Sequence, residues 1–186
     1  MTTEISSDSA FFNITPAALS DASSIANLGS TVWTAAFAWS VADPADAVAY
    51  TNTYYTTEAW EKELVDPTSD TYVARSVASP STVLGFVQIK RGTVEPCLKE
   101  ITGPMVELHR IYVDGKTHGK GIGKALLSFA DKKARADGNE YIWLGVWESN
   151  KEAFKLYQRM GYERKGEHSF AIGGEIQTDW VMIKKL

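Results

Sequence analysis

The stretch from Glu107 to Ala136, ELHRIYVDGKTHGKGIGKALLSFADKKARA, constrains the chain more than any other. Branched and aromatic residues from Glu107 to Val113 read as a strand. Asp114–Gly121 follows as a turn, with Gly115, Gly119 and Gly121 supplying permissive backbone. A helix then opens near Gly121, with Ile122, Ala125, Leu126 and Phe129 at helical spacing and Lys132 and Lys133 toward its end. A helix start offers unpaired N–H groups and partial positive charge, and glycines let an anion approach the main chain. Lys120 and Lys124 add charge on either side. The stretch therefore points to a phosphate ligand. The dinucleotide pattern G-x-G-x-x-G fails because Lys124 occupies its last glycine. The Walker pattern fails at His118 and at Ala125.

The rest of the chain fits an α/β order. Phe11–Ile14 predicts a short strand. Capping residues at Ser20 and Asp21 start a helix running to about Trp39. A second helical stretch spans Asp46 to Leu64, ended by Asp66-Pro67. Thr71–Ala78 and Val83–Lys90 form an antiparallel hairpin, and residues 91–104 a loop. Tyr141–Trp147 has few polar residues and reads as a central strand. A helix follows Asn150 to about Met160, stopped by Gly161. Gly161–Lys165 begins another strand, Gly173-Gly174 turns, and Ile176–Ile183 is the last strand. The sum is a mixed central sheet flanked by helices. Residues 11–186 are expected to form a single domain behind a flexible segment of residues 1–10 with no leader character.

Charge separates along the chain. Residues 1–70 carry net −9, with Lys62 the lone base, whereas residues 71–186 carry +5. An acidic half suits a cationic substrate and a basic half an anionic one. Differently solvated surfaces explain the same split. The overall −4, with no basic stripe, argues against nucleic acid, and no apolar run approaches a membrane span. One cysteine, Cys97, excludes an internal disulfide and suggests a reducing, cytoplasmic setting. Nothing has the spacing of a metal site or of a serine nucleophile elbow. Trp33, Phe37, Trp39, Tyr50, Tyr54, Tyr55 and Trp60 crowd the N-terminal third. Most suit a core, and a minority could line an entrance where aromatic faces hold a cation.

Two motifs carry a family resemblance. His118-Gly119-Lys120-Gly121-Ile122-Gly123 is similar to the Q/R-x-x-G-x-G/A pyrophosphate loop of the GNAT acyl-CoA N-acyltransferases, with His118 in place of Gln or Arg. Beginning 32 residues after His118, the chain resembles the second GNAT pattern, N-x-x-A-x-x-x-Y-x-x-x-G-[FY], through Asn150, Ala153, Tyr157, Gly161 and Tyr162. ELHRIYV, YIWLGVWESN and GEHSFAIGGEIQTDWVM further resemble the PaiA-type polyamine acetyltransferases.

That resemblance implies a GNAT fold, acetyl-CoA as acyl donor, no metal, and direct attack by an amine in a ternary complex. It assigns the diphosphate to the backbone of His118 through Lys124. The thioester carbonyl and pantetheine fall to the backbone of Ile111, Tyr112 and Val113, where this strand splays from the next at a bulge. Asn150 would meet the pantetheine arm, and Tyr157 would meet the sulfur as general acid. Glu107 is the candidate general base, with His109 on the same face in reserve. His168 is either a substrate contact or a structural hydrogen-bonding group. The acceptor is expected to be a small cationic amine such as a polyamine. Protein N-terminal or lysine acetylation and a silent acyl-CoA sensor stay open, as does a homodimer.

Overall fold

The computed structural model describes residues 11–186. The expectations of a flexible start and of no leader concern residues 1–10 and lie outside the described residues. Strands β1 (Phe12–Pro16), β2 (Ser69–Ser76), β3 (Val83–Lys90), β4 (Met105–Val113), β5 (Tyr141–Trp147), β6 (Glu163–Ile172) and β7 (Glu175–Lys185) form one sheet, ordered β1-β2-β3-β4-β5-β7-β6. Only β4 and β5 run parallel; the other neighbours are antiparallel. The expected hairpin is β2–β3, and β5 lies inside the sheet, as its apolar sequence suggests.

Helices α1 (Ala22–Phe37), α2 (Pro44–Tyr54) and α3 (Thr57–Val65) cover one face. Helices α4 (Ile122–Ala136) and α5 (Lys151–Arg159) cover the other. Each strand between the layers divides its side chains accordingly. On β4, Val106, Leu108, Ile111 and Val113 pack toward α4, while Tyr112 packs with the α1–α3 cluster.

The helical stretch expected from Asp46 to Leu64 is two helices. The chain leaves helical geometry at Tyr55 (φ −127°, ψ 40°), and the Thr56 hydroxyl accepts from the Ala59 N–H at 3.1 Å to start α3. Ordinary cap chemistry makes the break. It turns Tyr55 and Trp60 into the core; Trp60 is wholly buried against Phe86. The loop of residues 91–104 contains a single 3-10 turn, Pro96–Leu98, which buries Leu98.

Three residues of the second motif are structural parts. Asn150 caps α5 by accepting from the Ala153 N–H at 3.2 Å. Gly161 ends that helix at φ +88°, a conformation that other residues rarely adopt. The Tyr162 hydroxyl donates to Asp131 Oδ1 at 2.8 Å, and Lys184 Nζ donates to Asp131 Oδ2 at 2.7 Å. Asp131 thereby ties α4 to the turn after α5 and to β7. No helix of the described residues is long and apolar enough to cross a membrane.

Candidate active site

The site begins where β4 and β5 part. Their pairing covers only Met105–Glu107 against Tyr141–Trp143. Both strands continue, to Val113 and Trp147, without pairing to each other. A bulge lies at the divergence: Ile89 faces Leu108 and Gln88 faces Arg110, leaving His109 as the extra residue. The parting leaves main-chain groups of Leu108–Val113 available along the β5 side, an edge that an extended ligand can pair with.

Beyond β4, Asp114 accepts from the Lys116 N–H at 2.9 Å and sets a 3-10 turn, Gly115–Thr117. Gly119 and Gly121 then take φ +79° and +81°. A Cβ at either position would meet nothing within 4 Å, so the space beside both glycines is open. The first intrahelical bond of α4 runs from the Ala125 N–H to the Gly121 carbonyl. The N–H groups of Ile122, Gly123 and Lys124 precede it and have no partner in the helix. Lys120 and Lys124 are exposed beside them, with Lys120 Nζ 4.4 Å from the Phe11 ring centroid. This cradle fits a diphosphate through backbone donors and helix charge. The exposed His118 adds position rather than a required side chain.

On the α1–α3 face, Glu107 Oε1 and His109 Nδ1 lie 2.9 Å apart. The fold thus joins the base candidate and its reserve. The Glu107 side chain is mostly withdrawn from solvent, and that of His109 less so. Arg110 donates to Gln88 Oε1 at 3.0 Å, lies 3.6 Å from Glu63 Oε1 and stacks over Trp60. Its charge is spent on those groups. The Tyr112 and Tyr55 hydroxyls meet at 2.7 Å, and burial pushes both phenols up.

Tyr157 comes from the opposite face, on the apolar side of α5. Burial pushes its phenol well up, and the Asp179 carboxylate adds to the shift. It therefore keeps its proton at neutral pH, as a proton donor must. Asn150 sits at the start of the same helix with its oxygen committed to the cap, leaving its amide hydrogens as donors.

Of the N-terminal aromatic residues, Trp33, Tyr55 and Trp60 are buried, Phe37 and Tyr50 are half-buried, and Trp39 and Tyr54 are exposed. Trp33 is buried and stacks on Tyr50 at 4.4 Å. Phe37 and Trp39 lie 5.5 and 5.2 Å from Trp147 at the end of β5, and Trp39 is 71% exposed. His168 Nδ1 lies 3.4 Å from Glu95 Oε2, and its ring stacks on Phe170. Sequence reasoning gave no role to Asp179. Burial raises its carboxyl to about 6, against a lowering by His168. The one sequence signal was a carboxylate set immediately before the apolar run Trp180–Ile183. Hollows of about 310 and 280 Å³ beside α2 contain neither Tyr157 nor the glycine loop. The site is set instead by the divergence of β4 and β5. Among the described residues, no group of three or more His, Cys, Asp or Glu gathers to hold a metal.

A parted parallel strand pair and a glycine cradle at a helix start form a cleft that can take an extended anionic ligand, and a buried phenol stands on the α5 side. Residues 33–162 match the model of the acetyltransferase (GNAT) family, and the chain belongs to this family of N-acetyltransferases. An uncharacterized N-acetyltransferase of Lactobacillus delbrueckii subsp. lactis is 34% identical over 119 residues, 59% of this chain and 68% of that protein. The spermine/spermidine N(1)-acetyltransferase of Bacillus subtilis is 37% identical over 82 residues, 44% of this chain and 50% of the relative. In fold, the chain is similar to the PaiA N-acetyltransferase of Thermoplasma acidophilum, solved in complex with coenzyme A. The TM-score is 0.72 at 21% identity, over 94% of this chain and 99% of that one.

Proposed function

We propose that the protein transfers an acetyl group from acetyl-CoA to a small cationic amine of the polyamine class, within a ternary complex. One observation carries the reading. The gap between β4 and β5 has the glycine cradle at the end of β4 and the paired Glu107 and His109 at its start. The diphosphate sits on the N–H groups of the His118–Lys124 segment. Pantetheine runs along the free edge of β4 at Ile111–Val113, with the Asn150 amide beside it, and the sulfur reaches Tyr157. The amine nitrogen attacks the thioester carbonyl carbon and the C–S bond breaks. The first ammonium proton passes to the Glu107–His109 pair and frees the nitrogen lone pair, Tyr157 gives its proton to the leaving sulfur, and the second proton, shed by the acylated nitrogen as the amide forms, returns Tyr157 to the phenol. Main-chain N–H groups of β4 stabilise the developing oxyanion.

The polyamine class is supported by the named activity of the Bacillus subtilis relative and by the acidic, aromatic N-terminal third. The test is thiol release from acetyl-CoA with polyamines, arylalkylamines, amino acids and peptides. Release with di- and polyamines at low concentration is expected. Release with peptides alone identifies a protein acetyltransferase. Saturable coenzyme A binding without release on any acceptor identifies a sensor.

A further inference from the structure

Asp179 lies in the interior of β7, opposite Trp147 on β5 and His168 on β6. A charge between two paired strands costs folding free energy unless something compensates it. The other carboxylates that the fold buries are compensated. Asp21 pairs with Arg75, Asp131 with Lys184 and Tyr162, Glu95 with His168, and Glu107 with His109. The Asp179 carboxylate makes no hydrogen bond or ion pair among the described residues. The nearby His168 imidazole is turned to Glu95.

Its position relative to β5 is specific. A Cβ on Gly145 would stand 3.0 Å from Asp179 Oδ2. The carboxylate therefore lies over Gly145, where an added side chain would crowd it. Gly145 is in the part of β5 that has parted from β4, and it is itself exposed. Tyr157 and Tyr50 are both within electrostatic reach of Asp179. Trp147, with Phe37 and Trp39 against it, continues the wall. A desolvated carboxylate facing aromatic rings is a receptor for an ammonium group, which gains from both.

We propose that Asp179 binds the ammonium group of the acceptor over Gly145. This rests on the amine-acetyltransferase reading and names the residue that selects a cation. The amine adds counter-charge at an acid that has no hydrogen bond or ion pair of its own among the described residues and only the His168 ring, turned to Glu95, acting on it. A neutral nucleophile of the same shape would leave it unpaired and be rejected.

The experiment is steady-state acetylation of n-butylamine, 1,4-diaminobutane and spermidine by the wild type, Asp179→Asn and Gly145→Ala. Asp179→Asn keeps the shape and removes the charge. Its amine KM is expected to rise ~10- to 100-fold, the loss of a charge-assisted hydrogen bond, with acetyl-CoA KM unchanged. Gly145→Ala keeps the charge but displaces the carboxylate, and should raise amine KM in the same selective way. That variant stands in should Asp179→Asn fail to fold. Equal amine KM in variant and wild type, or a parallel rise for both substrates, overturns the assignment while leaving amine acetylation standing. A wild type that acetylates none of these amines overturns the amine reading and the assignment with it.

Discussion

Glu107 and His109, two residues apart on β4, meet at 2.9 Å on the α1–α3 face, where His109 is the extra residue of a bulge. In a regular strand, residues two apart share a face but stand about 7 Å apart along the chain. The two side chains are long enough to close that spacing, and the bulge sets the local twist in which they do so.

A pair joined in this way should act as one proton acceptor in the ternary complex. Glu107→Gln is expected to lower kcat about 10- to 100-fold and to flatten the acid limb of its pH profile, with acetyl-CoA binding retained. The check is kcat measured from pH 5 to 9 under saturating substrates. An unaltered profile would move the proton to His109 alone or to a water chain.

Tyr157→Phe removes the proposed proton donor and little else, because the ring stays in the same apolar position. Turnover should fall ~10²-fold or more while coenzyme A affinity stays nearly constant. Stability should change little or rise, since no hydrogen bond of this hydroxyl exists among the described residues. Wild-type turnover in the variant would remove Tyr157 from the reaction.

Asp179 should make stability depend on pH in an unusual direction. Its carboxyl is raised from 3.8 to about 6 by burial, with His168, Tyr157 and Tyr50 as the titratable groups facing it. The folded state then holds a proton that the unfolded state has lost between those values. Stability is fully present below pH 4 and is lost as pH rises through 6, by up to about 3 kcal/mol. Asp179→Asn should therefore unfold at a higher temperature than the wild type at pH 8, and the difference should vanish near pH 4. Thermal melts of both proteins across that range decide it. In kcat/KM for the amine, which reports the free enzyme, the break near pH 6 should also disappear in this variant.

Asn150 has two demands on one side chain. Asn150→Ala loses the α5 cap and should cost about 1 kcal/mol of stability. Asn150→Asp keeps a cap acceptor but removes the amide donor. If the amide meets pantetheine, Asp should restore the melting temperature without restoring acetyl-CoA KM. Restoration of both would leave Asn150 a cap and nothing more.

Much of this site was legible in the chain because it is local. The Gly119 and Gly121 turn, the start of α4 and the strand before it lie within one contiguous stretch, where spacing and glycine placement speak directly. The Glu107–His109 contact was half legible, since alternation put both on one face. Residues that meet through sheet register were not. Asp179 reaches Gly145 only because β7 inserts between β5 and β6, and no periodicity announces that order. The break at Tyr55 was missed for a different reason. Apolar spacing runs on through it, while two dihedrals and one threonine hydroxyl redirect the chain. The motif marks Asn150 without stating which bond it makes, and its cap bond to the Ala153 N–H is visible only in the structure.

The central claim is that main-chain donors of the loop after β4 hold the diphosphate of coenzyme A and so deliver its sulfur to Tyr157. Calorimetric titration of coenzyme A and of pantetheine into the same protein tests it most directly. The account predicts one saturable site for coenzyme A, with pantetheine, which lacks the diphosphate, bound far more weakly. Equal affinity for the two, or no saturable binding of coenzyme A by folded protein, would contradict it.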